Sequence, residues 1–213
     1  MTPTGFLGSG DHFVETVYVE RARICVRDVL DSQAIGLLHG PAGTGKTFTA
    51  QAVTTERPEV SVRYLKFQTN PSPRFVAAEI VQEVGLQSVR RGENRYALLD
   101  RAEDILGSGT FLIVVDEAQH LSTACIEVFR HLWDLPRTHF SLLLVGGPGT
   151  ARVLESEPML SSRIYRSVKF RPLTPAEVLR HVRRLDPLLE PLGDEQLSCY
   201  DEVLKGNFRN WAK

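Results

Sequence analysis

The most specific chemistry in the chain is carried by eight residues, Gly40-Pro41-Ala42-Gly43-Thr44-Gly45-Lys46-Thr47. Glycines let a backbone fold around anionic oxygens with no Cβ in the way. The N–H groups of such a loop, and the helix N-terminus it opens, then face the anion. The spacing fits G-x-x-x-x-G-K-[ST] at every fixed position. Lys46 is therefore placed to reach the β- and γ-phosphates of a nucleotide, and Thr47 to offer its hydroxyl to Mg²⁺. Phe48, next in the chain, completes the candidate nucleotide contacts. The alternative is a glycine-rich turn with a chance Lys-Thr.

A second cluster lies seventy residues beyond Lys46, where Asp116-Glu117 ends the apolar run Phe111–Val115. A carboxylate at the C-terminal end of a strand faces the crevice where open α/β sheets bind ligands. Asp116 is placed to hold Mg²⁺, and Glu117 to orient and deprotonate an attacking water. The alternative is that both cap the helix starting near Ser122. The adjacent Glu favours hydrolysis over transfer to a small-molecule hydroxyl.

Positioning these groups requires strands that end together. Hydrophobic periodicity predicts strands at 34–39, 60–67, 111–115, 140–145 and 167–170. It predicts helices at 15–31, 46–56, 72–84, 95–106, 122–133, 174–185 and 193–204, with a stub from Asn207. Alternation of this kind implies a three-layer αβα domain around a parallel sheet. After Pro172 the strands cease. The expected division is an α/β nucleotide-binding domain at 1–171 and a small helical lid at 172–213.

Composition narrows the class. With 42% hydrophobic and 24% charged residues the chain is neither disordered nor fibrous. No apolar run reaches the roughly eighteen residues of a membrane helix. The N-terminal MTPTGFLGSGDHF lacks the pattern of a secretory signal. Three widely spaced cysteines fit neither a disulfide framework nor a zinc site, so a reducing cytoplasm is expected. The net charge is −1, yet residues 163–184 hold six arginines and Lys169 against Glu177 alone.

Taken in order, GPAGTGKT, FLIVVDEAQH, FSLLLVGG, SSRIYRSVKF and the terminal GNFRN resemble an AAA+ ATPase over nearly the whole chain. The DEAQH wording and FVET before the first helix resemble the transposition-associated branch (MuB, TnsC, TniB, IstB). The resemblance implies ATP and Mg²⁺ as cofactors. It assigns Gly40, Gly45, Lys46 and Thr47 to the Walker A motif and Asp116 and Glu117 to Walker B. Arg163 falls where the family places a finger reaching the neighbouring subunit's γ-phosphate, with Arg166 the weaker alternative. Arg209 falls where a lid arginine touches the nucleotide within the subunit. A guanidinium can contact phosphoryl oxygens bidentately as charge develops on them. A surface role for either arginine is the competing reading.

The sequence departs from the family at the end of the fourth strand. A polar side chain is common there, but Val145-Gly146-Gly147-Pro148 offers none, and Thr150 is the nearest hydroxyl. Turnover is therefore expected to be slow, or stimulated by DNA or assembly. Only four residues follow Arg209.

Arg90, Arg91 and Arg95 are candidates for neutralising duplex DNA phosphates without reading sequence; a solvated turn is the alternative. Arg180, Arg183 and Arg184 are ambiguous in the same way. The histidines, His12 among them, show no metal-ligand spacing. The function expected is an ATPase that forms a ring or filament of identical subunits on double-stranded DNA and recruits a transposase or integrase, with no membrane partner. The alternatives are a nucleotide-gated scaffold that hardly hydrolyses, or a secretion ATPase of the ExeA kind.

Overall fold

A computed structural model describes residues 14–67, 69–155 and 162–212. The N-terminal segment with His12, and Phe13 and Ser161 of the motifs above, lie outside the described residues. The first helix, α1 (Val17–Asp31), is capped by Thr16, whose hydroxyl accepts from the Val19 N–H at 3.4 Å. The periodic residues Val19, Ala22, Val26 and Val29 are its buried face. Then follow β1 (Ile35–His39), α2 (Lys46–Thr55), β2 (Ser61–Lys66) and α3 (Pro73–Glu79), which continues as a π-helical turn over Ile80–Val84. Next come α4 (Arg95–Gly107), β3 (Phe111–Asp116), a 3₁₀ turn at Ala118–His120 and α5 (Thr123–Trp133). β4 (Phe140–Gly146), α6 (Pro148–Glu155) and β5 (Ile164–Lys169) complete the α/β portion.

The strands form one parallel sheet in the order β2-β3-β4-β1-β5. Successive side chains of a strand point to opposite faces. Ile113 and Val115 therefore join one core with α3, α4 and α5, while Leu112 and Val114 join the other with α1 and α2. This double burial is why β3 and β4 read as unbroken apolar runs. It makes the strand ends stiff supports for whatever they carry. Truncating Ile113, which is fully buried, costs about 2–5 kcal/mol.

Two elements differ from the expectation. β5 begins at Ile164, before the expected residue 167, and bulges between its pairings with Ile35 and Gly36. It is an edge strand with Tyr165 and Arg166 exposed, so its sequence lacks the apolar continuity of the central strands. Helix α6 was not expected, because Pro148-Gly149 reads as a loop. Proline at a first helical position removes an N–H that has no partner there anyway.

Beyond β5 the chain is helical: α7 (Pro175–His181), 3₁₀ turns at Val182–Arg184 and Pro187–Leu189, α8 (Asp194–Leu204) and α9 (Phe208–Trp211). Leu173, Val178, Val182, Leu197 and Trp211 form a core of their own. Thr174 and Glu177 make a reciprocal capping box at the start of α7. Arg183 is spent inside this unit, donating to the carbonyls of Leu179 and Leu192 and pairing with Asp194. It is therefore not part of a free basic lid face, as the sequence had left open.

Candidate nucleotide site

β1 and β3 end at the same edge of the sheet, and their continuations meet there. The loop after His39 turns through Gly40–Gly45 into α2, with positive φ at Gly40, Gly43 and Gly45. Across the crevice, the Thr47 hydroxyl donates to the Asp116 carboxylate, 3.1 Å from Oδ1 and 3.3 Å from Oδ2. Residues 69 apart in sequence are thus in contact. Lys46 curls back over its own loop, and its Nζ donates to the Pro41 carbonyl at 2.7 Å. The Thr44 hydroxyl donates to the same carbonyl. Pro41 and Ala42 are exposed at the mouth of the loop, and Phe48 is exposed on the first turn of α2.

Burial lowers the Lys46 pKa, opposed by the charges of Glu117 and Asp116 and assisted by that of Arg209. Burial raises the Asp116 pKa against hydrogen bonds from the Glu117 N–H and Thr47, while the Glu117 charge raises it further and Lys66 lowers it. These groups share one electrostatic environment. A desolvated carboxylate touching a threonine hydroxyl suits Mg²⁺, which keeps several waters and takes one or two protein oxygens beside phosphate. Thr47 and Asp116 are the residues that would hold it.

Glu117 sits at φ 54°, ψ 38°, a left-handed conformation uncommon for a residue with a Cβ. Its Oε2 accepts from Gln119 Nε2 at 2.5 Å. Beside it opens a cavity of about 770 Å³ lined by Lys66, Phe67, Thr69, Glu117 and His120. Gln119 lies within DEAQH, but neither its residue type nor its spacing announces a contact with Glu117. Thr150 is buried on α6 behind Gly146, so its hydroxyl does not open on the crevice.

The GNFRN segment closes the site from above. Asn207 Nδ2 donates to the Ala42 carbonyl at 3.0 Å, and the Arg209 N–H to the Gly43 carbonyl at 3.3 Å. A Cβ on Gly43 would stand 2.1 Å from Asn207 Oδ1, so only glycine permits this approach. Buried Asp201 ties the segment down, accepting from the Gly206 N–H at 2.7 Å and from the Trp211 indole at 3.2 Å. Arg209 is exposed and forms no ion pair among the described residues. Asn207 was missed from sequence, although an Asn before a short helix is a cap signal.

Other candidates lie elsewhere. Arg163 precedes β5, whose first residue pairs with Ile35 and whose last pairs with His39. It therefore stands at the opposite sheet edge from the loop. There it pairs with Asp134 at 3.0 Å, its guanidinium 6.0 Å from the centre of the Trp133 ring. Arg166 pairs with Asp28 of α1. Arg90 and Arg91 are exposed on the loop before α4, and Arg95 and Tyr96 are exposed on its first turn. That loop is built rather than loose: Glu93 accepts from Arg101 at 2.9 Å and from the Arg90 N–H at 2.9 Å.

The sequence matches the AAA domain family over residues 28–154, more than half the chain. No curated protein matches it. Solved structures with similar folds include the ADP form of Aeropyrum pernix ORC2, at TM-score 0.72 and 16% identity, covering 95% of this chain and 64% of that one. Cdc6p of Pyrobaculum aerophilum gives 0.71 at 16%, covering 94% and 61%. A Thermotoga maritima RuvB variant gives 0.60 at 17%, covering 94% and 60%. The chain thus spans less than two thirds of the length of each of these structures. Among the described residues no helix is long and apolar enough to cross a membrane. The family match covers both the glycine loop and Asp116-Glu117, and the chain belongs to the AAA domain family.

Proposed function

We propose that the chain is an ATPase that binds Mg·ATP between the loop at 40–47 and a lid formed by 172–213, and hydrolyses it. The observation that carries this reading is the convergence of Lys46, Thr47, Asp116, Glu117 and Arg209 on one crevice. Bound Mg²⁺ would neutralise phosphate charge between Thr47 and Asp116. Lys46 leaves the Pro41 carbonyl for the β- and γ-phosphates. Glu117 orients the attacking water and takes its proton. Arg209 meets the nucleotide from the lid, and Arg163 serves the neighbouring subunit. Hydrolysis then depends on assembly.

The assembly is a homo-oligomer on duplex DNA, held through Arg90, Arg91 and Arg95. Three guanidinium groups without ion pairs among the described residues suit phosphate neutralisation, which is independent of sequence. The DEAQH motif's resemblance to the transposition-associated branch favours a role in delivering target DNA to a transposase or integrase. Phosphate release is measured with and without random duplex, together with ATP-dependent co-sedimentation. Turnover that rises with duplex, and sedimentation lost when the three arginines become glutamate, are the expected results. Wild-type protein that binds Mg·ATP yet releases no phosphate in either condition refutes the hydrolytic reading. Turnover indifferent to DNA refutes the DNA reading alone.

A further inference from the structure

The end of β4 supplies glycine where related ATPases carry a polar side chain, and the structure fills that place from the 3₁₀ turn that follows β3. Gly147 donates its N–H to Gln119 Oε1 at 2.7 Å, and Gln119 Nε2 donates to Glu117 Oε2 at 2.5 Å. The glycine-rich turn after β4 is a slot shaped for this side chain. A Cβ on Gly146 would meet Gln119 Oε1 at 2.6 Å and the Thr150 hydroxyl at 2.1 Å. Cβ atoms on Gly147 and Gly149 would lie 3.5 Å and 3.8 Å from the same glutamine.

We propose that Gln119 is the positioning residue for Glu117, in place of a polar side chain on β4; the proposal rests on the hydrolytic reading above. Each end of the amide has a fixed task. The backbone N–H of Gly147 can only donate, so it selects the amide oxygen and turns the NH₂ group toward the carboxylate. The charge-assisted bond to Oε2 then leaves Oε1 as the acceptor for a proton from water. The relay also spans the sheet. Gly146 pairs with His39, the residue before the phosphate loop, and β4 pairs with β3 on its other side. A continuous run of contacts therefore joins the strand that carries the loop to Glu117, through β4 and Gln119.

The test compares the full-length wild type with Gln119→Ala, Gln119→Glu, Glu117→Gln and the double variant Glu117→Gln/Gln119→Ala. ATP affinity and kcat are measured for each. Gln119→Ala should lower kcat about tenfold or more while ATP affinity changes less than about twofold. Gln119→Glu keeps the shape but sets a second carboxylate against Glu117 in place of the amide donor, so it too should lower kcat with ATP affinity little changed. The double variant should be no slower than Glu117→Gln alone, because a residue acting only through Glu117 has nothing left to lose. Wild-type kcat in both single variants, or a further loss in the double variant, overturns the proposal. Equal loss of ATP binding in Gln119→Ala and Gln119→Glu assigns the residue to folding and also overturns it. Wild-type protein without turnover overturns the hydrolytic reading and the proposal together. Wild-type turnover with unaffected Gln119 variants overturns the proposal alone.

Discussion

Arg163 offers the sharpest test of assembly-dependent hydrolysis, because its own site is out of its reach. β5 runs from Ile164 beside Ile35 to Lys169 beside His39. Five residues at about 3.3 Å each place Arg163 roughly 16 Å or more from the start of the phosphate loop. An arginine side chain spans less than half of that, and this one is already engaged by Asp134. Any contribution to catalysis must therefore be made in a neighbouring subunit. Arg163→Ala should leave nucleotide binding by isolated subunits unchanged and lower assembled turnover by about 10³-fold or more, the range for a trans-acting arginine. Mixing makes the assay decisive. Arg163→Ala subunits have intact phosphate loops but no finger, and Lys46→Ala subunits have the finger but no working loop. Each is expected to be nearly inactive alone. Mixed in equal amounts, they form interfaces in which an intact loop faces an intact Arg163, and phosphate release should recover to a sizeable fraction of wild type. No recovery in mixtures that demonstrably co-assemble would refute the trans assignment. So would wild-type turnover that is the same per subunit at all protein concentrations.

Other outcomes follow from the same geometry. Lys46→Ala should abolish calorimetric uptake of Mg·ATP, since no other cation is held within the loop; unchanged affinity would remove the basis for the site. Glu117→Gln should keep affinity and lose about 10²- to 10⁴-fold in turnover, checked by single-turnover phosphate release. Asp201→Ala leaves the Gly206 N–H and the Trp211 indole without an acceptor, at about 1–3 kcal/mol each. The lid should melt earlier, with a red shift in tryptophan fluorescence, and ATP affinity should fall as Arg209 loses its support. The Glu177 carboxyl is held at about 2 by Arg171, helped by hydrogen bonds from Thr174. A lowered folded pKa contributes stability above the unfolded value near 4.5, lost as pH falls toward 2. Glu177→Gln should therefore flatten the acid side of the melting curve in that window and destabilise the protein at neutral pH. An unchanged pH slope would refute the assignment.

What could be read without coordinates was whatever depends on local pattern. The doubly buried strands β3 and β4, the glycine loop opening α2 and the carboxylates ending β3 each follow from residue type and short-range spacing. Edge strand β5 was legible only in part, because solvent on one side removes the apolar signal and a bulge breaks its alternation. Helix α6 hid behind Pro148-Gly149, and the Glu93–Arg101 pair, which lends the Arg90–Arg91 loop its shape, joins residues eight apart with no motif to announce them. The sequence alone therefore determined which groups could grip a triphosphate and on which strands they end. Only the tertiary structure decided how those groups hold one another: Thr47 on Asp116, Asn207 on the loop carbonyls, Arg163 on the far edge and Gln119 between Gly147 and Glu117. The physical reason is range. Propensity and periodicity act over a few residues, whereas a hydrogen bond forms wherever packing of the whole sheet brings donor and acceptor within about 3 Å.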